Sequence, residues 1–587
     1  VVSVPEGLPM LITLVLSSNM KKMLKNNILV RKLVGIETAG SLNILFTDKT
    51  GTLTKGSLEV VGGILGNGNF FRSGKELISH QEYLTELDNA LINNNSCNFD
   101  TRKKKWLGGN ATDKACVGFI TTSNPKVLKK IKEKPFNSRD KYSFVTVKDQ
   151  DEITYIKGAP EILLPKCSSY LSISGKEAKL TSTTQLEKEI ERYTTQGIRV
   201  ILIGYTKSSI NRITLLAILL IKDELRDESK DAVKLVQQAG IQVVMITGDN
   251  KKTATSIAKE AGIIKSQSDL VLTSKELASL TDAELKSKIP NLRVVARALP
   301  QDKSRLVRIL EELNLVVGMT GDGVNDAPAL KKADVGFAMN SGTEVAKEAS
   351  DIILLDNNFY SITKAILFGR TIFKSIRKFI IFQLTVNFCA VFLSIIGPFI
   401  GVANPVTVIQ MLWINMVMDT LAGIAFSYEP PLLEYMKEPP KSRDEPILNR
   451  YMIHEIVFIG LYSVALCIFF LKSPMIHSFF RTDINDKYFL TAFFGLFIFM
   501  TIFNSFNART SRLNILANLS KNRIFIGVIL LIVIVQLLLI YYGGDLFRTT
   551  GLSLKEIEIM LLCAFTVIPV EFLRKLYLKK KHKLGHV

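Results

Sequence analysis

Six cysteines, at positions 97, 116, 167, 389, 467 and 563, are scattered through 587 residues with no pair at metal-ligand spacing. That excludes a disulfide framework and a zinc ribbon and suits a reducing compartment. A Walker A loop is also missing: Gly74-Lys75 runs into Glu76 and position 69 is Asn, so P-loop phosphate chemistry is excluded. Acidic residues are the scarcer sign, 54 against 74 Lys plus Arg, for a formal net charge of +20. No initiating Met and no signal-peptide n-region open the chain, whose first residues already lie in an apolar run; this reads as a fragment without its N-terminal part. With 47% hydrophobic and 22% charged residues the chain is not disordered, and its length leaves room for roughly three to five domains. A positive excess suits either nucleic acid or an anionic membrane surface, and the placement of the charges decides between them.

From Phe379 to Met418 no Asp, Glu, Lys or Arg occurs. The run is broken at Gly397-Pro398 and Asn404-Pro405, which predicts a transmembrane hairpin with a short outer turn. Further uncharged spans are 456–471, 488–507 and 524–542, and a weaker one at 557–573 is interrupted by Glu558 and Glu571. The opening run 1–20 is apolar except for Glu6 and ends at Lys21-Lys22. Basic residues cluster after Glu571 (Arg574, Lys575, Lys579, Lys580, Lys581, Lys583) and between two spans (Arg509, Arg512, Lys521, Arg523), while the facing turns 543–555 and 397–405 carry two and none. By the positive-inside rule both the soluble region and the C-terminal tail face the cytosol. The charge therefore borders a lipid bilayer, and no nucleic-acid partner is expected.

In the soluble region the apolar run Ile44–Thr47 has the look of a buried parallel strand and leads into Asp48-Lys49-Thr50-Gly51-Thr52-Leu53-Thr54. An Asp at such a strand end lies where open α/β sheets bind ligands, and its carboxylate can attack phosphorus to form an acyl-phosphate. Leu216–Ile221 and Val243–Ile246 read as further strands, the second ending in Thr247-Gly248-Asp249-Asn250, whose hydroxyl and N–H groups suit phosphate oxygens. Val316–Met319 ends in Thr320-Gly321-Asp322-Gly323-Val324-Asn325-Asp326, an acidic loop suited to Mg²⁺. Lys303 follows Ala296-Arg297-Ala298-Leu299-Pro300 and can offset charge on a transferring phosphoryl group.

Together DKTGTLT at 48–54, TGDN at 247–250 and GDGVNDAPAL at 321–330 resemble the signature of P-type ion-transporting ATPases, whose phosphorylation domain is similar to haloacid dehalogenases. The resemblance implies a multidomain membrane protein: an α-helical transmembrane bundle, an α/β phosphorylation domain at 25–59 and 206–360, and an inserted α+β nucleotide-binding domain at 60–205. Residues 1–24 would be the second part of membrane helix 4, and 361–587 helices 5–10 with a short cytosolic tail. Asp48 would accept the γ-phosphate of ATP. Thr247, Gly248, Asp249 and Lys303 would attend the phosphate, and Asp48, Thr50, Asp322, Asn325 and Asp326 would hold Mg²⁺. Phe136 and Lys141 in FNSRDK, with Arg139, would meet the nucleotide, as would Lys157 and Gly158 in KGAPE, Arg199 in GIRV, and Asp223 and Arg297. Thr112-Asp113 stands where the family usually has Thr-Glu. An aromatic stack with two Lys and an Arg is a sound ATP clamp, although Phe136, next to Pro135, also fits a core position.

The transported ion is read from ionisable and amide groups within the spans. In Val4-Pro5-Glu6-Gly7-Leu8-Pro9 two prolines break the helix ladder and free the carbonyls of Val1, Val2 and Val4. Asp419 lies one turn from Asn415, and Asn387 lies mid-span. Carboxylates, amides and carbonyls make a hard oxygen site of the kind Ca²⁺ takes. Asp419 as a mere membrane boundary and Asn387 as a packing amide are the structural alternatives. VPEGLP with Asn-x-x-x-Asp resembles calcium pumps. Ala390 replaces the Glu of two-ion pumps, which implies one Ca²⁺ per ATP, with protons as counter-ion. Met418-Asp419-Thr420-Leu421-Ala422 and Glu429-Pro430-Pro431 are similar to the plasma-membrane type, with Ca²⁺/Mn²⁺ pumps of the secretory pathway as the rival. No extended basic amphipathic tail suggests calmodulin, and a minimal pump of a bacterial cell membrane is expected.

Two other classes compete. A soluble phosphatase would have a second Asp where Thr50 stands, and would lack the spans. A non-catalytic ion-binding membrane fragment rests on truncation alone. The family's actuator loop carries a TGE tripeptide, and none occurs here. These 587 residues by themselves are therefore expected not to complete a transport cycle; steady ATP-driven Ca²⁺ uptake by vesicles containing only this chain would refute that.

Overall fold

The computed structural model describes residues 7–580 apart from 101, 123–124, 138, 149–150, 402–405 and 483–485; the side chains of 7, 8, 418 and 419 also lie outside the described set. Val1, Val2, Val4 and Glu6 are thus outside the described residues, as is the side chain of Asp419.

Two sheets organise the soluble region. In the first, the strands run in the order Ile28–Val30, Ile352–Leu354, Val335–Met339, Val317–Gly321, Ile44–Asp48, Gln242–Thr247, Leu292–Ala296 and Leu270–Thr273. Only the edge strand Ile28–Val30 is antiparallel; the remaining pairs are parallel. The near-continuous apolar character of the inner strands follows from helices covering both faces, so that residues pointing either way are buried. Ile44–Asp48 lies in the middle, between the strands that end in the other two motifs.

The second sheet is mostly antiparallel and contains Thr54–Leu65, Lys129–Lys134, Tyr142–Lys148, Glu152–Gly158, Cys167–Leu171, Glu177–Lys179, Arg199–Thr206 and Ile213–Leu225. The expected domain boundaries are corrected here. Ile213–Leu225, with its run 216–221, pairs with Arg199–Thr206 and Thr54–Leu65, so it belongs to the second sheet and not the first. Its apolar run is buried on both faces, and such a run does not distinguish a parallel from an antiparallel strand.

Thr54–Leu65 and Ile213–Leu225 form the two-stranded passage between the sheets, with Leu225 opposite Thr54. Asp223 stiffens it, accepting from Thr54 Oγ1 at 2.6 Å and from the Gly56 amide at 3.0 Å. Arg226 Nε donates to the Thr54 carbonyl at 3.2 Å and Ser229 Oγ to that of Leu53 at 2.7 Å.

Four helices among the described residues are long and apolar enough to cross a membrane: Phe359–Phe399, Arg450–Lys472, Lys487–Arg509 and Arg523–Tyr542. The other expected spans are present as Gly7–Leu24, as the consecutive segments Val408–Asn415, Met416–Leu421 and Ala422–Ser427, and as Leu554–Phe565 followed by Val567–Lys580. The first arm of the expected hairpin begins well before the uncharged run, at Phe359 beside the first sheet. Glu571, which weakened the last span in the sequence, is fully buried and bonded to Arg574 Nε at 2.6 Å, while Arg574 also reaches Glu455 of Arg450–Lys472 at 2.7 Å. A paired charge inside the bundle is compatible with a membrane helix where an unpaired one is not.

The helix Phe359–Phe399 docks on Leu33–Ala39 at a point where two glycines meet. A Cβ on Gly369 would lie 2.4 Å from the Ile36 carbonyl and 2.5 Å from the Gly40 nitrogen. Beside this contact the buried Arg370 donates to four carbonyls: Gly40 at 3.2 Å, Ala239 at 2.8 Å, and Tyr435 and Glu438 both at 2.6 Å. Arg370→Met strips a charged donor from all four, and we expect destabilisation by about 3 kcal/mol or more. Gly369→Val should cost about 1–3 kcal/mol by overpacking. Thermal melting of the purified protein checks both, and unchanged melting would show that this junction carries no load.

Candidate functional site

The C-terminal ends of three adjacent strands bring the sequence motifs together. Asp48 closes Ile44–Asp48, and its amide donates to Thr320 Oγ1 on the neighbouring strand at 2.8 Å. The chain then turns through Gly51 at φ +73°, a left-handed conformation that glycine adopts without strain. Carboxylate oxygens of Asp48, Asp322 and Asp326 lie within 4.8 Å of one another. Asp326 is fixed by the amides of Asp322 and Gly323, at 3.2 and 3.1 Å to Oδ2. Lys303, buried, enters from the helix Pro300–Glu312 and places Nζ 2.6 Å from Asp326 Oδ1 and 3.4 Å from Asp48 Oδ2.

Three carboxylates against one ammonium leave an excess of negative charge. Burial raises the pKa of Asp48, and Asp326 adds to the rise while Lys303 opposes it. Asp322 is likewise raised, by burial and then by Asp48 and Asp326. For Lys303, burial favours the neutral amine, but the two carboxylates outweigh it and its pKa is raised. A cluster of hard oxygens that repel one another fits Mg²⁺, which prefers a few carboxylates together with waters and phosphate oxygens. Thr50 and Asn325, both expected at this ion, have exposed side chains on the two loops that carry the triad.

Gln242–Thr247 supplies the third edge. Thr247 Oγ1 accepts from the Asp249 amide at 3.1 Å, and Asn250 caps the helix Lys251–Glu260, accepting from Thr253 N at 3.0 Å. The space over Gly248 is open: a Cβ there would meet nothing within 4 Å. Lys49, next to the nucleophile candidate, lies 2.9 Å from Asp249 and 3.8 Å from Asp223, a bridge the motifs did not reveal. Asp223 and Arg297, both expected at the nucleotide, are not among the residues that line the cavity on the second sheet. Asp223 belongs to the inter-sheet passage, and Arg297, at φ +52°, donates its amide to the Asp249 carbonyl at 2.9 Å.

A separate cavity of about 910 Å³ opens on the second sheet. Thr112, Asp113, Phe136, Lys141, Lys157, Gly158 and Arg199 all line it, as expected; Arg139 is exposed and is not among the lining residues. Phe136 is 58% exposed on the cavity wall, so it is no core residue. Asp113 pairs with buried Lys157, and its other oxygen accepts from Ser96 N at 2.9 Å, Ser96 Oγ at 2.6 Å and Asn110 Nδ2 at 2.9 Å. Burial pushes the Asp113 carboxyl up, but Lys157 and these donors prevail and its pKa is lowered. Lys157 also donates to the Asn94 carbonyl at 2.5 Å, and Arg199 Nη1 to Thr112 Oγ1 at 2.5 Å. Asn94 and Ser96 were not foreseen, because nothing in their local sequence marks them; only the fold brings them under Lys157.

Of the expected ion ligands, Asn387 is buried mid-helix in Phe359–Phe399, and Asn415 is half-buried at the end of Val408–Asn415. The next residues, Met416–Leu421, form a stretch of wide i→i+5 turns, a distortion of the helix ladder often found at functional sites.

Residues 42–334 match the family model for haloacid dehalogenase-like hydrolases, a second such model matches 308–366, and 403–577 match that for the cation transporting ATPase C-terminus. A putative plasma membrane-type calcium-transporting ATPase 13 of Arabidopsis thaliana is 34% identical over 98% of this chain and 59% of its own length. The calcium-transporting ATPase PAT1 of Dictyostelium discoideum is 36% identical over 95% of the chain and 55% of its own length. For the plasma membrane calcium-transporting ATPase 4 of Homo sapiens the figures are 36%, 95% and 49%. The chain thus spans about half to three fifths of the curated relatives it matches. These relatives are eukaryotic, so the expectation of a bacterial source has no support.

The exposure of Phe136 separates two roles. Phe136→Ala should leave the melting temperature unchanged and weaken ATP binding roughly tenfold, the loss of one base stack of about 1.4 kcal/mol. Isothermal titration with ATP measures it, and unchanged affinity would remove Phe136 from the site.

Proposed function

Because this chain belongs to the cation-transporting P-type ATPases, we propose that the whole protein drives Ca²⁺ across a membrane at the expense of ATP, through a phosphoryl group carried on Asp48. The observation that carries this reading is the convergence of Asp48, Asp322 and Asp326 around Lys303 at the C-terminal edge of a parallel sheet. A Cβ added at Gly51 or at Gly248 would meet nothing within 4 Å, which leaves the loops after Asp48 and Thr247 open to a ligand.

In the proposed step an Asp48 carboxylate oxygen bonds to the γ-phosphorus of ATP while the bond to the β–γ bridging oxygen breaks, and ADP leaves. The Lys303 ammonium, held by Asp326, offsets charge on the departing and arriving oxygens. Mg²⁺, when bound by Asp48, Asp322 and Asp326 with Thr50 and Asn325 beside them, supplies further neutralisation of the phosphate oxygens. Thr247 and the Gly248 and Asp249 amides would cradle the phosphate at the start of the helix Lys251–Glu260. The cavity of the second sheet would hold the nucleoside, with Phe136 against the base and Lys141, Lys157 and Arg199 toward the phosphates.

For the cargo we propose Glu6, Asn387, Asn415, Asp419 and the carbonyls of Val1, Val2 and Val4. Ala390 removes the carboxylate a second ion would need, so one Ca²⁺ per ATP with proton return is the favoured stoichiometry. The relatives named for the plasma membrane favour Ca²⁺ export at the cell surface over a Ca²⁺/Mn²⁺ role. Given ATP labelled at the γ-phosphate, the full-length protein should form a Ca²⁺-stimulated, hydroxylamine-labile label. Asp48→Asn should abolish it, and Lys303→Met should slow its formation roughly a hundredfold. Label stimulated by Mn²⁺ and not Ca²⁺ would overturn the cargo, and label persisting in Asp48→Asn would overturn the site.

A further inference from the structure

Of the acids that line the cavity on the second sheet, Asp113, Glu133 and Glu161, only Asp113 is buried. It sits in the first turn of the helix Ala111–Gly118 and is 5% exposed. Its oxygens are fully engaged. Oδ1 accepts from the Lys157 ammonium, and Oδ2 from the Ser96 amide, the Ser96 hydroxyl and Asn110 Nδ2. A carboxylate offers about four lone-pair sites, so these four donors saturate it. The donors are themselves fixed. The Asn110 amide and Nδ2 donate to Ser96 Oγ at 3.1 and 3.2 Å, and Asn110 Oδ1 accepts from the Asp113 amide at 2.9 Å.

Lys157 is the other half of this arrangement. Its ammonium has three N–H groups. Two meet Asp113 and the Asn94 carbonyl, and the third remains for a ligand in the cavity that Lys157 lines. Asp, one methylene shorter than the Glu usual at this place in the family, ends its side chain among these donors.

We propose that Asp113 makes no contact with the base and is the positioning residue of Lys157, with Ser96 in turn fixing the Asp113 carboxylate. This rests on the nucleotide reading of the cavity and deepens it: the base would be held by its stack on Phe136, with no acid at its amino group. A buried ammonium that loses its carboxylate sheds its proton more readily. Cys97 and Cys116 also lie within electrostatic reach of Lys157. Burial pushes the Cys116 thiol up to about 11, and burial, then Asp113, raises that of Cys97, so neither supplies a negative charge near neutrality in place of Asp113. Glu161 pairs with Lys141 at 3.1 Å and Glu133 with Lys130 at 3.0 Å, while Lys114, beside Asp113, is exposed.

The test titrates the full-length protein calorimetrically with ATP and with purine riboside triphosphate, in which hydrogen replaces the 6-amino group. Asp113→Asn should weaken both nucleotides by the same factor, roughly tenfold or more. The loss should grow as the pH rises from about 7.5 to 9, because binding needs the charged ammonium and the variant sheds that proton, while wild-type affinity stays constant. Ser96→Ala, at an exposed position, should weaken both nucleotides equally, roughly threefold, and serves where Asp113→Asn does not fold. A loss confined to ATP would put Asp113 at the amino group and overturn the proposal. Unchanged binding of both nucleotides, or a loss independent of pH, would make Lys157 independent of Asp113 and overturn it equally. A wild-type protein that binds neither nucleotide would instead overturn the nucleotide reading, and this inference with it.

Discussion

One guanidinium sets the relation between the chemical and the membrane halves of this molecule. Arg370 is buried at the base of the helix Phe359–Phe399 and donates to four carbonyls that belong to three separate segments. Gly40 leads into the strand that ends at Asp48; Ala239 leads into the strand that ends at Thr247; Tyr435 and Glu438 follow the segmented helix that carries Asn415 and Asp419. Carbonyls at helix ends and in loops need donors once water is excluded, and a planar fork with five N–H groups can serve several at fixed angles. The adjacent glycine contact between residues 40 and 369 removes the side chains that would hold the backbones apart.

At the other end of those strands the physics is one of concentrated like charge. Three carboxylates converge and Lys303 offsets only part of their charge, so the pKa of Asp48 and of Asp322 is raised, by burial first and by the neighbouring carboxylates with it. Such a cluster is unfavourable alone and favourable with a divalent cation, which would link ion binding to the charge on Asp48. The cavity lined by Lys157 and Phe136 stands on a different sheet, joined to the first by the paired strands Thr54–Leu65 and Ile213–Leu225. These two antiparallel strands are the connection between the body that holds the cavity and the body that holds the carboxylate triad.

Much of this was legible in the sequence, and the reasons are local. An apolar run ending in Asp48, Thr247 or Gly321 reports a strand and what stands at its end, because parallel strands are buried on both faces. The cavity residues from Thr112 to Arg199 were recognisable as motifs, and six long apolar stretches after the soluble region announced the bundle. What escaped depends on partners distant in sequence. Lys49 bridges to Asp249 across 200 positions, Asn94 meets Lys157, and Glu571 is tolerated in a span only because Arg574 and Glu455 surround it. Asp223 and the run from Leu216 were assigned to the wrong body, since an apolar stretch states that it is buried and not which sheet buries it.

The helix that starts at Phe359 is unbroken for 41 residues, its one proline at position 398 in the last turn. At 1.5 Å per residue it is about 60 Å long, and Asn387 stands about 40 Å from its origin. A rod of that length turns angle into distance. Tilting its base by about 5° would carry that amide sideways by about 3–4 Å, more than the length of a bond between a cation and an oxygen. The length of this one helix therefore sets how far a small rearrangement at its base is carried, and under the proposed function it would link the carboxylate triad to the amide of Asn387.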